Sequence, residues 1–81
     1  MIRVELLSKE DCHLCQEALN VLTRVQRDIP FTLEERKIVA GDPLYELFKE
    51  KVPVVFIEGD EAFHFRVDER TLRKKLLALM P

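Results

Sequence analysis

The chain has 81 residues, 47% of them apolar and 35% charged, with no low-complexity tract, which marks one globular domain spanning 1–81. With 13 basic against 15 acidic residues, no Trp and one Tyr, it lacks both the basic face and the stacking platform of a nucleic-acid binder. No apolar run approaches the roughly 20 residues of a membrane span. "MIRVELL" also lacks the basic start and cleavage site of a signal peptide, so a cytoplasmic monomer away from membranes is expected.

"IRVELL" alternates, with Ile2, Val4 and Leu6 on one face, as a half-buried strand does. After the polar "SKED", a helix runs from Cys12 to about Arg27. Its apolar stripe is Cys15, Ala18, Leu19, Leu22 and Val25 or Gln26. Asp28 and Pro30 end it. "FTLEERKIV" is a second strand, with Phe31 and Leu33 inward and enough charge for a sheet edge. Asp42 as N-cap and Pro43 as first helical residue start a short helix to about Lys51, packed through Leu44, Leu47 and Phe48. Val54 to Ile57 is continuously apolar and belongs in the middle of a sheet. Glu58 to Glu61 is a tight turn, and Ala62 to Phe65 returns. Asp68 caps a last helix with the stripe Leu72, Leu76, Leu79 and Met80. The order is β-α-β-α-β-β-α, an α/β chain whose first two strands are parallel through a right-handed crossover.

Both cysteines lie in "CHLC", residues 12 to 15. Such a pair can cycle between dithiol and disulfide, hold a metal, or form a permanent cross-link. Lasting disulfides are uncommon in cytoplasm, the hyperthermophile exception aside. Zinc needs four ligands in structural sites. Here Cys12, Cys15, His13 and His64 are the obvious ones, and His13 points to a different side of the helix from the cysteines. A metal or iron–sulfur site would draw four thiolates from two chains. Redox exchange is the preferred reading, because Cys12 falls at a helix N-terminus, where free N–H groups and the helix dipole stabilise a thiolate. Cys12 on the exposed lip attacks, and Cys15, one turn in on the buried stripe, resolves the mixed disulfide. Lys9 favours a Cys12 thiolate and Glu10 and Asp11 oppose it. His13 either tunes the site or is a solvated helix residue. Pro53 opens the apolar strand as an edge device or a cis-proline turn, and beside the cysteine motif the cis reading is preferred.

With "KEDCHLC" after the first strand, "VPVVFIEG" and Asp68 opening the last helix, the chain resembles the glutaredoxin branch of the thioredoxin superfamily over essentially its whole length. It is most similar to small bacterial glutaredoxin-like proteins with a C-x-L-C site. The resemblance implies a thioredoxin-like, glutaredoxin-type fold with a four-stranded mixed sheet flanked by helices. It also implies a disulfide oxidoreductase with Cys12 as nucleophile and Cys15 as resolving cysteine. Lys9 matches a lysine that faces the glutathione carboxylate. Val52-Pro53 matches a valine and cis-proline whose backbone pairs with substrate as an added strand, so Lys9, His13, Val52 and Pro53 form the expected substrate-binding set. No cofactor is required. Glutathione is an expected reductant or co-substrate, and the expected partners are a protein disulfide or glutathione disulfide and a cellular reductase system. The chain departs from the glutaredoxin pattern in three places: His13-Leu14 between the cysteines, Lys51 before Val52, and "FHFRVD" where a Gly-Gly pair would let glutathione approach the backbone.

Overall fold

The computed structural model describes all 81 residues. It contains β1 (Arg3–Ser8), α1 (His13–Gln26), β2 (Thr32–Lys37), α2 (Pro43–Phe48), β3 (Val54–Ile57), β4 (Asp60–His64) and α3 (Glu69–Leu79). The four strands form one mixed sheet in the order β2-β1-β3-β4. β1 and β2 run parallel, while β3 lies antiparallel to both β1 and β4. The two apolar strands are therefore central, and the charged β2 is an edge.

The sheet is covered on both faces. On one, α1 and α3 bring Ala18, Leu22, Val25, Leu72 and Leu76 against Val4, Leu6, Val55 and Ile57, all buried in one cluster. On the other, Leu44, Tyr45 and Phe48 of α2 pack on a smaller cluster of Leu7, Cys15, Ile38, Val52 and Val54. Phe48 meets Phe56 edge-on, with centroids 6.3 Å apart. Strand alternation explains the division: Val55 and Ile57 join the larger cluster, Val54 and Phe56 the smaller.

Three details differ from the sequence expectation. Leu47 is 66% exposed, because a six-residue helix presents one narrow face, and Leu44, Tyr45 and Phe48 fill it. Leu79 and Met80, expected on the buried stripe of α3, are 48% and 40% exposed, because they are the last residue of the helix and its C-cap, with no further turn to cover them. β4 starts at Asp60 rather than Ala62, because the turn contains only Glu58 and Gly59, with φ of 52° and 85°. Two positive φ values suit the right-handed twist of a two-residue hairpin. Ala62 is then the extra residue of a bulge, as the register slips between Val55 and Phe56.

The helix starts are capped as expected. Asp42 accepts from the Leu44 N–H at 2.9 Å, and Asp68 accepts from the Thr71 N–H at 2.9 Å and its hydroxyl at 2.6 Å. Arg73 of α3 makes two ion pairs. It reaches Asp28 at 2.9 Å and Glu69 at 3.0 Å, while Arg24 of α1 reaches Glu69 at 2.8 Å, tying the two helices together. The Thr71 hydroxyl and N–H hold the Asp68 carboxyl below its usual 3.8, and Arg24 and Arg73 hold Glu69 below 4.5. Carboxyls depressed in the folded state contribute stability that is present above their unfolded values and lost as pH falls through the folded ones. The urea midpoint should thus fall once pH drops below these ordinary values of 4.5 and 3.8. Asp68→Asn should blunt the lower part of that fall.

Candidate active site

The site forms where β1 hands over to α1. After Ser8 the chain turns through Asp11, which adopts φ 51°, a left-handed value that Asp tolerates. Cys12 follows in an extended conformation, φ −114° and ψ 102°, as the N-cap of α1. Its Sγ accepts a hydrogen bond from the Cys15 N–H at 3.2 Å. A sulfur therefore occupies the place that a serine or aspartate oxygen usually takes, and one of the free N–H groups of the helix points at it. When the disulfide opens, that N–H and the helix dipole favour negative charge on Cys12.

Cys12 and Cys15 are joined in a disulfide, with Cα atoms 5.2 Å apart, and the two sulfurs are not equivalent in their surroundings. Cys12 is half-buried, whereas Cys15 is 4% exposed and packed with Leu7, Ile38, Val52 and Val54. Only the first is open to an incoming disulfide.

The Val52–Pro53 peptide bond is cis. Both residues are buried, and Val52 lies in the same cluster as Cys15, against which Cys12 also packs. The Val52 N–H is already spent, donating to the Phe48 carbonyl at 3.0 Å. The Val52 carbonyl accepts no hydrogen bond within the protein. Of the two backbone groups expected to pair with a substrate strand, the structure leaves the acceptor alone.

Lys9 lies beside the cysteines, yet its Nζ donates to the Lys49 carbonyl at 2.9 Å, just past the C-terminal end of α2. This contact ties the cysteine loop to α2 and takes up the cation that the resemblance directed at a glutathione carboxylate. His13 has a side chain 89% exposed, with Nε2 4.0 Å from the Glu17 carboxylate one turn on. Glu10 leans to Lys37 at 3.7 Å. His64 sits on the edge strand, 3.6 Å from Glu61 and edge-on to Phe65, away from the cysteine groove.

Two features went unread in the sequence. Ser8, the one buried polar residue, donates its hydroxyl to Glu35 at 3.0 Å in a polar groove of about 440 Å³ that Cys12 and Cys15 also line. On the other side of the helix start lies an apolar groove of about 400 Å³, reaching from Leu14 to Phe65 and Val67. Neither has a local sequence signal, because each joins residues far apart in the chain.

The geometry is thus a half-exposed sulfur at a helix start, a buried partner one turn on, and the Val52-Pro53 backbone packed beside them. The fold and the disulfide-bonded pair together support a thiol–disulfide redox role on a thioredoxin-like scaffold. The glutaredoxin-like domain family (DUF836) matches residues 3–77, and the chain belongs to that family. It is similar to the solution structure of protein Ne2328 from Nitrosomonas europaea, with 30% identity, a TM-score of 0.78, and 93% of this chain and 91% of that one covered. Its fold is also that of thioredoxin O2 from Arabidopsis thaliana in the oxidized state, at 18% identity and TM-score 0.68, covering 100% of this chain and 76% of that one. A mutant thioredoxin from Halobacterium salinarum aligns at 19% identity and TM-score 0.60, covering 99% and 78%. No curated protein matches the chain.

Proposed function

We propose that the protein is a thiol–disulfide oxidoreductase that reduces disulfides through Cys12 and Cys15. The Cys12 thiolate attacks one sulfur of a substrate disulfide, forms a mixed disulfide and expels the other substrate sulfur as a thiolate. Cys15, as thiolate, then attacks the Cys12 sulfur and expels the remaining substrate thiolate. The cysteine pair is oxidised by two electrons and the substrate is reduced by two. A cellular dithiol reductase, or two molecules of glutathione, returns the pair to its reduced form.

The observation that carries this reading is the asymmetry of the pair: the Cys15 N–H donates to Cys12 Sγ at 3.2 Å, while Cys15 itself is 4% exposed. The group that must attack first is stabilised and reachable. The group that must attack second is shielded from competing thiols. The Val52 carbonyl gives an incoming backbone N–H a partner. Substrates are protein disulfides or mixed disulfides with glutathione, handled by a cytoplasmic monomer without a metal or organic cofactor.

Cys15→Ser tests the order of attack. Mixed with an excess of an aromatic disulfide, this variant should stop with one aryl thiol bound through Cys12, visible by mass. The wild type should pass on to its internal disulfide. Accumulation of the adduct on Cys15 in the matching Cys12→Ser variant, at a similar rate, would reverse the assignment.

A further inference from the structure

The apolar groove next to the cysteines has a built rim. It is lined by Leu14, Ala18 and Val21 of α1, Phe63 of β4, and Phe65 and Val67 of the segment leading to α3. Leu14 lies between the two cysteines in the chain, so the groove begins at the helix start, while the cysteines themselves line the polar groove described above. Its volume, about 400 Å³, is within the range of pockets that enclose side chains or small molecules.

The rim residue Phe65 is held in an unfavourable backbone conformation. Its φ is 67°, a value uncommon outside Gly, Asn and Asp and an outlier for a bulky side chain. The Arg66 N–H donates to the His64 carbonyl at 2.8 Å, closing a three-residue turn centred on Phe65. That turn is rare and strained when its central φ is positive. The Phe65 N–H donates to the Pro53 carbonyl at 2.8 Å, which anchors the turn to the proline beside the cysteines. The outcome is a phenylalanine 44% exposed, braced edge-on by His64. Folding alone does not call for a strained turn that leaves a phenylalanine half in water, and strain of this kind clusters where a ligand is gripped.

We infer that this groove seats an apolar side chain flanking the target cysteine of a polypeptide substrate, and that the protein thereby prefers polypeptide disulfides to glutathione disulfide. This rests on Cys12 being the attacking cysteine. Glutathione offers carboxylates and no apolar side chain. The groove offers six apolar residues, with Arg66 as its one cation. Asp68 at the rim is occupied in capping α3, and Glu17 stands opposite His13. A chain bonded to Cys12 and paired with the Val52 carbonyl places the side chain next to its own cysteine within reach of Leu14. Contact there removes apolar surface from water on both partners.

The test uses reduced wild-type protein and two short peptides with one cysteine each, flanked by leucine or by glycine. Each cysteine is capped as a mixed disulfide with 2-nitro-5-thiobenzoate. Attack of Cys12 on the peptide sulfur releases the coloured thiolate, and Cys15 then releases the peptide thiol. The leucine-flanked peptide should react about tenfold faster, the discrimination typical of one side chain in an apolar pocket. Phe65→Gly, which suits the positive φ and keeps the fold, should bring the two rates together by slowing the leucine-flanked peptide about tenfold, with the glycine-flanked peptide as the internal reference. Equal rates for the two peptides with wild type overturn the inference. So does a preference that survives Phe65→Gly. If free 5,5′-dithiobis(2-nitrobenzoate) itself fails to react, the redox reading fails instead, and the two failures are told apart.

Discussion

Replacing Cys12 by Ser should lower the rate of disulfide exchange by roughly 10³-fold or more, with no loss of fold. A hydroxyl at this position still caps α1, because a serine oxygen accepts the Cys15 N–H as well as sulfur does. The side chain is half-buried and smaller by little, so the packing around Val52 and Cys15 survives. What disappears is the nucleophile: at neutral pH a serine at a helix start is not ionised, whereas a cysteine there readily is. The remaining Cys15 thiol cannot substitute, because it lies 4% exposed beneath the site. The rate with an aromatic disulfide and the circular dichroism spectrum together check this result. A variant that keeps a tenth or more of wild-type activity would contradict the role given to Cys12.

The second large effect is on stability. Leu22 is fully buried between α1, α3 and the sheet, packed with Ala18, Val25, Leu72 and Leu76. Truncation to Ala removes most of a side chain from a place that helices on one face and strands on the other prevent from collapsing. The expected cost is about 2–5 kcal/mol. At roughly 0.05–0.15 kcal/mol per residue, the whole domain has only about 4–12 kcal/mol to lose. Leu22→Ala should therefore shift the urea midpoint strongly or leave part of the chain unfolded at 37 °C. Leu77, 56% exposed on the same helix as Leu76, provides the contrast. Leu77→Ala should stay within about 0.5 kcal/mol of wild type. Equal losses for the two would mean that the larger cluster is not the main source of stability.

Much of the architecture was legible because each element carries its own period. Ile2, Val4 and Leu6 alternate as a strand with one large core face, and all three are buried in the larger cluster. Cys15, Ala18, Leu22 and Val25 repeat as a helix and are the buried residues of α1. The order of elements then left few topologies, and the four-stranded mixed sheet flanked by helices is among them. Element ends were less legible. Leu79 has the helical spacing of a core residue, but it lies 48% exposed in an open groove against the β3–β4 turn, and periodicity carries no information about how closely the opposing layer packs. Leu47 is exposed for another reason: Leu44, Tyr45 and Phe48 already fill the one narrow face of the short α2.

At the site, the cysteines and "VP" were visible because they are local motifs. Their hydrogen bonding was not. Nothing near Lys9 in the sequence announces the Lys49 carbonyl that holds its ammonium, 40 residues away. Nor does anything mark the Val52 N–H as taken by Phe48, which depends on how α2 runs into the loop before β3. Phe65 is a similar case. In the sequence it reads as the end of a returning strand, and only the bulge at Ala62 and the turn through Arg66 bring it to the rim of the groove. Long-range contacts of this kind decide what a site prefers, while short motifs decide what chemistry it has.

The most direct test of the central claim is a redox titration of the wild-type protein. It would be equilibrated in buffers of reduced and oxidised dithiothreitol, quenched with acid, alkylated and weighed. The account predicts two populations only: one with both cysteines alkylated, and one with neither alkylated and lighter than the unalkylated dithiol by two hydrogens. They should interconvert reversibly with the slope of a two-electron couple, a tenfold change in ratio for about 30 mV. A pair that stays oxidised under full reduction, or a dithiol that never forms the Cys12–Cys15 disulfide, would contradict it.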